Sequence, residues 1–184
     1  MGVSHRRFQA SFPARFTTVA VEAVGVRLRD VSAGRDLAML RGHRRSVDDL
    51  TFSPDSNLVA TASADNTVRL WHVPSGELAG VLEGHITGIQ ALAFAPDGKT
   101  LVSAANYESI KFWHVATRQE MLSFPEFSRD PKPILFSADG TTMAVRIGRS
   151  VLAPGEHART SVKFWRAPSF AELEAAENTR PSRP

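Results

Sequence analysis

The sequence contains no cysteine, and this absence removes several classes of protein at once. Disulfides, thiol catalysis and zinc sites that need thiolate ligands are all excluded. No apolar run reaches 18 residues, so no segment is predicted to span a membrane. The sequence also lacks a glycine-rich phosphate loop, a Gly-x-Ser-x-Gly elbow and, at residues 1–20, the apolar core of a secretory signal. These absences favour a cytoplasmic protein that is not an enzyme and that holds no cofactor or metal.

Lysine is scarce as well, because four of the 22 basic residues are lysine and the others are arginine. Arg6, Arg7 and Arg15 all precede the first acidic residue, Glu22. This basic start is typical of a targeting peptide, of a nucleic-acid-binding arm, or simply of a first strand in an arginine-rich protein. The net charge is only +3, whereas nucleic-acid binding usually needs a concentrated basic stripe. A first strand is therefore the favoured interpretation.

What the sequence does contain is an internal repeat with a period of 42 residues. Three landmarks recur at this spacing: Gly42-His43 as Gly84-His85, Trp71-His72 as Trp113-His114, and Phe52–Asp55 as Phe94–Asp97. Because three independent landmarks share one period, the sequence is predicted to be a tandem array of one structural unit.

Each unit is predicted to form a small antiparallel sheet. In the best-preserved unit, short alternating strands are predicted at 47–52, 58–63, 67–72 and 77–82, with proline, asparagine, aspartate and glycine between them. These turn residues preset or tolerate the backbone angles of tight hairpins. Four such strands in a unit of this length are typical of a β-propeller blade.

The Gly-His pair, the Ser-Pro-Asp turn and the Asp65–Trp71 strand, at a period near 42, resemble the WD-repeat family. The resemblance covers about residues 20–167. It implies an all-β fold, a partial and open WD-repeat β-propeller of about four four-stranded antiparallel blades with a short C-terminal helix. The predicted propeller segment is 1–177, with blades at 4–40, 43–82, 85–124 and 127–167, a helix at 169–177 and a disordered tail at 178–184.

The outer units depart from the family pattern. Arg29 stands where the first blade would have tryptophan, and Phe127 stands where the fourth would have the Gly-His histidine. Trp165 follows Trp113 by 52 residues, ten more than the period, which predicts an inserted loop at 148–159. The fourth blade is predicted to have three strands unless the N-terminus donates another.

The resemblance implies a hydrogen-bonded tetrad that braces each blade. In the second blade its members are His43, Thr61, Asp65 and Trp71. Burial of these polar groups is tolerable because each finds a partner. A catalytic His-Thr-Asp triad is the competing interpretation, and it is disfavoured because the set recurs from blade to blade.

The tetrad is less complete in the later blades. The third blade keeps His85, Ser103 and Trp113, but Tyr107 falls at the aspartate position. An end hydroxyl is the only substitute expected there. The fourth blade keeps Trp165 alone.

Family contact positions lie on loops at one end of the blades, where propellers bind their partners. Here these positions include Ser46, Asp48, Gln90 and Asn106, and together with Arg44, which flanks them, they form the predicted partner-binding rim. Ala64 and Gly88 occupy two further contact positions.

The function expected from the resemblance is a non-catalytic protein–protein interaction scaffold, bacterial and cytoplasmic, with an unidentified protein partner. A sensor or regulatory segment derived from a bacterial WD-repeat serine/threonine kinase is one alternative, and nucleic-acid binding through the arginine-rich N-terminus is another. Four blades sweep little more than half a ring of about seven. Missing N-terminal blades or a homodimer are therefore expected to complete it.

Overall fold

A computed structural model of the chain describes residues 19–22, 25–30, 32–125, 131–148 and 160–166. All regular elements in these ranges are strands, and no helix occurs among them. Their bounds are β1 Val19–Glu22, β2 Gly25–Asp30, β3 Arg35–Arg41, β4 Val47–Phe52, β5 Leu58–Ser63, β6 Val68–His72, β7 Leu78–Leu82, β8 Ile89–Phe94, β9 Thr100–Ala105, β10 Ile110–His114, β11 Glu120–Phe124, β12 Ile134–Phe136, β13 Thr142–Gly148 and β14 Thr160–Arg166.

The strands form four separate antiparallel sheets, which we call blades 1 to 4. Blade 1 is β1-β2-β3, blade 2 is β4-β5-β6-β7, blade 3 is β8-β9-β10-β11 and blade 4 is β12-β13-β14. The all-β prediction is confirmed. Strands predicted at 67–72 and 77–82 begin one residue later, and those at 47–52 and 58–63 have the predicted bounds. The predicted helix at 169–177, the tail and residues 149–159 of the inserted loop lie outside the described ranges.

Local chemistry explains the turn between the first two strands of a blade. In blade 2 the Ser53 hydroxyl donates to Asp55 (2.6 Å) and accepts the backbone N–H of Leu58 (2.9 Å). Blade 4 repeats the pattern, because Ser137 donates to Asp139 (2.6 Å) and accepts from Thr142 (3.0 Å). Such serine–aspartate turns satisfy backbone groups that leave the sheet.

Gly76, in the turn between β6 and β7, is required by both backbone angle and space. Its φ of 75° lies in the left-handed region. A Cβ at this position would overlap the Cβ of Ala38 in blade 1. Glycine alone therefore lets this turn pack against the preceding blade.

The blades pack face to face in the order of the chain, and each contact buries an apolar core. The first core lies between blades 1 and 2, the second between blades 2 and 3, and the third between blades 3 and 4. Central residues of the three cores include Leu28 and Val59, Leu70 and Leu101, and Phe112 and Met143. Within the described residues no core joins blade 4 to blade 1, so the arc is open.

Candidate functional site

The predicted tetrad residues of blade 2 lie together between the loop before β4 and the β5–β6 hairpin. Trp71 Nε1 donates to Thr61 Oγ1 at 2.9 Å, and Thr61 Oγ1 lies 2.7 Å from His43 Nε2. On the other side of the ring, His43 Nδ1 lies 3.0 Å from Asp65 Oδ2. A neutral histidine that accepts at Nε2 and donates from Nδ1 satisfies the whole chain of bonds.

Asp65 also fixes the surrounding backbone. Its carboxylate accepts the backbone N–H of Arg44 at 2.9 Å and of Thr67 at 3.1 Å, and the Thr67 hydroxyl at 2.7 Å. One side chain therefore connects the β5–β6 hairpin to the loop that leads into β4. This connection holds the end of the blade where the predicted partner-binding residues lie.

Burial and hydrogen bonding set the charges within the tetrad. Burial lowers the pKa of His43, and the neighbouring Asp65 only partly offsets this. For Asp65, burial would raise the pKa, but hydrogen bonds from Thr67, from the Arg44 backbone and from His43 together lower it below its ordinary value. The favoured state is thus a neutral imidazole beside an ionised carboxylate.

Blade 3 builds its network with a residue that the sequence did not point to. His85 Nε2 lies 2.7 Å from Ser103 Oγ, and Trp113 Nε1 donates to the same oxygen at 2.8 Å. Oε1 of Glu108 lies 3.1 Å from His85 Nδ1. The expectation that an end hydroxyl would substitute for aspartate was wrong, since Tyr107 is 46% exposed.

The turn geometry explains why the carboxylate moved by one position. In blade 2 the left-handed residue of the hairpin is Asn66 (φ 71°), one residue after Asp65. In blade 3 it is Tyr107 (φ 55°), one residue before Glu108. The two hairpins span the same number of residues between paired strands, so the shift changes which side chain faces the histidine. The extra methylene of glutamate gives it added reach.

Glu108, like Asp65, accepts the backbone N–H of the residue that follows the histidine. Its Oε2 accepts the N–H groups of Ile86 (3.0 Å) and Thr87 (3.1 Å) and the Thr87 hydroxyl (3.1 Å). The approach to His85 Nδ1 is short but lacks the alignment of a hydrogen bond. Burial, though it acts to raise the pKa of Glu108, is outweighed by the charge of His85 and the Thr87 and Ile86 N–H groups, which lower it.

Blade 4 has no comparable network among its described residues. Trp165 is partly buried against the core between blades 3 and 4. Val145 stands at the repeat position of Ser103 and Thr61, so no hydroxyl is available there for the indole N–H.

The rim is the blade end formed by loops 42–46, 64–67, 84–88 and 106–109. Two predicted contact residues on it bond each other across blades, since Gln90 Nε2 donates to Asp48 Oδ2 at 3.2 Å. Ser46 Oγ in turn donates to Asp48 Oδ1 at 3.3 Å. Arg44 and Ser46 are exposed, whereas Asp48, Gln90 and Asn106 are half-buried.

Two other family contact positions serve packing between blades. A Cβ on Gly88 would lie 3.2 Å from the Cα of Ala64, so these two loops approach closely because both residues are small. The nearby Asn66 side chain donates to the carbonyl of Ile86 at 3.1 Å. The rim loops of blades 2 and 3 therefore form one continuous surface.

Asp49 is a further acid, half-buried between blades 2 and 3, that sequence reasoning missed. It sits at a bulge in β4, where register shifts between Val47 and Asp49. Its carboxylate accepts the backbone N–H of Leu92 in blade 3 at 2.8 Å and of Leu50 at 2.9 Å. Burial raises its pKa to about 6 against the effect of these bonds. The sequence signal that could have identified Asp49 is its position in a strand between the apolar residues Val47 and Leu50.

The opposite end of the blades carries one open cleft of about 300 Å³ between blades 2 and 3. Its walls include His72, Lys99, His114 and Arg118 over apolar side chains. No group of three or more potential ligand side chains in the described residues is placed to hold a metal ion. Nor do these residues include a helix able to cross a membrane.

Comparison with protein-family models identifies the repeat. Residues 34–72 and 76–114 each match the WD domain, G-beta repeat. The chain contains WD repeats. Each matched WD repeat begins with the outer strand of one blade and ends with the third strand of the next, from β3 to β6 and from β7 to β10. The open arc of blades is thus a partial WD propeller. No curated protein gives a significant match to the chain.

Asp65→Ala is expected to destabilise the WD repeat of blade 2 by about 2–4 kcal/mol, because His43 and two backbone N–H groups lose a buried acceptor. The free energy of unfolding from urea titration measures the effect. Glu83→Ala, at an exposed carboxylate, is the control. Equal losses for the two variants would contradict the proposed role of Asp65.

Glu108→Ala is expected to cost about 1–3 kcal/mol, since it removes the acceptor of Ile86 and Thr87. Tyr107→Asn is the matched control at the position where the family has aspartate, and asparagine tolerates its left-handed backbone. The control should change the unfolding free energy little. The reverse order of effects would show that Tyr107 carries the brace.

Asp49→Asn tests the raised pKa of Asp49. Between the unfolded value near 4 and the folded value of about 6, the folded protein binds more protons through this group, so its contribution to stability falls as pH rises. Relative to wild type, Asp49→Asn should therefore gain roughly 1–2 kcal/mol between pH 4 and pH 7. Unfolding titrations at both pH values measure this. Asp55→Asn, at a carboxyl whose pKa is lowered by the Ser53 hydroxyl, should show no such gain.

Proposed function

We propose that the chain is a non-catalytic scaffold that binds a protein partner through the rim of its WD repeats. The supporting observation is the pair of networks centred on Asp65 and Glu108, which hold the rim loops through their backbone N–H groups. A loop fixed in this way loses little conformational entropy when a partner binds. We place this scaffold in a bacterial cytoplasm, in keeping with a sequence free of cysteine.

The chemistry of the rim favours a polar partner surface. Arg44, Arg45 and Ser46 are consecutive and exposed, and the backbone of Arg44 is fixed by Asp65. Next to them, Asp48 and Gln90 form the bond that joins blades 2 and 3. Two arginines on a fixed loop suit an acidic segment, because guanidinium groups pair with carboxylates in a planar, two-bonded geometry.

The two alternatives drawn from the sequence stay hypotheses. Residues 1–18, which carry Arg6, Arg7 and Arg15, lie outside the described ranges, so nucleic-acid binding gains no support from the structure. The hypothesis that the chain is a regulatory segment derived from a WD-repeat kinase concerns neighbouring genes, which the structure does not describe. An interaction scaffold explains the same WD repeats with fewer assumptions.

Arg44→Glu tests the rim as a partner-binding surface. The immobilised protein is incubated with a bacterial lysate, and bound proteins are compared by quantitative mass spectrometry. Proteins that bind the wild type are expected to lose at least about tenfold in recovery on Arg44→Glu, since an acidic partner segment would meet a like charge. Arg35→Glu, an exposed arginine at the opposite end of blade 1, is the charge-matched control. Identical recoveries on the two variants would contradict the proposal.

A further inference from the structure

The outer face of blade 4 carries an exposed apolar patch. Strand pairing places Leu135, Ala144 and Phe164 in one row across the sheet. Leu135 is 59% exposed, Phe164 is 71% exposed, and Val162, two residues from Phe164 on the same face, is 53% exposed. We call Leu135, Ala144, Val162 and Phe164 the blade 4 patch. Contiguous apolar surface of this kind marks an interaction site.

The repeat shows what this face does in the other blades. The row of the blade 4 patch corresponds to Ala93, Val102 and Phe112 in blade 3, which pair in the same way. Those three residues are buried under blade 4. In blade 2 the equivalent Ala60 and Leu70 are buried under blade 3. Leu28, the equivalent residue of blade 1, is likewise buried under blade 2. The same face is covered by the next blade each time it recurs, so the blade 4 patch continues an interface used three times within this chain.

The other end of the arc has a different chemistry. Arg29 replaces the tryptophan of blades 2 and 3, and its guanidinium donates to Asp36 Oδ1 at 2.9 Å and to the Gly34 carbonyl at 2.7 Å. Arg27 lies 3.6 Å from the same carboxylate. These side chains are between 41% and 47% exposed. Head-to-tail contact would bury this ion cluster against Phe164 or Leu135, at a large cost in desolvation.

We propose that two copies of this chain pair through their blade 4 patches about a two-fold axis. This arrangement covers apolar surface on both copies and leaves the ions of blade 1 in water. A two-fold contact uses the same patch twice and closes at two subunits, whereas head-to-tail contacts propagate. Two arginines flank the apolar row on this face. Arg146 lies opposite Val162 at the rim end, where its Nε donates to the Lys132 carbonyl, and Arg166 lies opposite Thr142 at the other end. The pairing concerns a different surface from the rim and does not depend on the proposed function.

The absence of cysteine makes the pairing directly testable by cross-linking. Leu135→Cys places a single thiol in the blade 4 patch, and Leu78→Cys places one on an exposed residue of blade 2. A short bis-maleimide should convert most of Leu135→Cys, and little of Leu78→Cys, into covalent dimer. Equal cross-linking of the two variants would overturn the proposal.

Sedimentation equilibrium on the full chain supplies the second measurement. The wild type is expected to show a reversible monomer–dimer equilibrium. Phe164→Glu should weaken it by at least about tenfold, because a charge would enter the apolar contact, while Leu78→Glu should leave it unchanged. The melting temperature of Phe164→Glu under monomeric conditions should match that of the wild type, since Phe164 is exposed there.

Three results would refute the pairing. One is a monomer at concentrations up to about 100 µM, where a micromolar dimer would be populated. Another is open-ended growth of mass with concentration, the behaviour of head-to-tail contact. The last is a dimer that persists unchanged in Phe164→Glu.

Discussion

Blades 2 and 3 are sheets with two apolar faces, and the rest of the structure depends on covering both. All six residues of β9 in blade 3 are buried, which requires a neighbouring blade on either side. Such a sheet gains little stability alone and acquires it from its contacts, as in other repeat proteins. Polar groups are tolerated in these interfaces only in connected sets, such as Trp71, Thr61 and His43.

The two tetrads show that a buried network requires a particular atom at a particular place, whereas the residue that supplies this atom can change its position in the sequence. A carboxylate oxygen beside the histidine, with backbone N–H groups around it, is present in both blades. It comes from Asp65 in one and from Glu108 in the other, and the left-handed residue of the hairpin decides which. The poorer alignment at His85 shows what the substitution costs in geometry. The loop that leads into the first strand is nevertheless held by backbone N–H groups in both blades, by that of Arg44 in blade 2 and by those of Ile86 and Thr87 in blade 3.

The period of 42 residues was enough to predict the all-β class and, to within one residue, the four strands of blade 2, because turn residues and apolar alternation recur at that spacing. It was not enough for the tetrad of blade 3, since the backbone angle at Tyr107 depends on the whole hairpin and cannot be read from residue identity. Asp49 was missed for a similar reason, as its acceptor role requires a bulge and a neighbouring blade. Arg29 lies on the outer face of blade 1 and Phe164 on the outer face of blade 4. Which face each side chain occupies could be assigned only from the strand register of the structure. The conformation of a whole hairpin and the packing of neighbouring blades, and not the preference of single residues, set these features.

The offset between the WD repeat and the blade has a consequence for how such arrays change. The segment from 34 to 72 holds the last strand of one sheet and three strands of the next. Duplication or loss of one such segment lengthens or shortens the array by one blade and leaves every remaining sheet complete. A break within the array at a segment boundary, by contrast, leaves one sheet without its outermost strand. Each WD repeat therefore joins two neighbouring blades, and the repeat in the sequence and the sheet in the fold are offset by one strand.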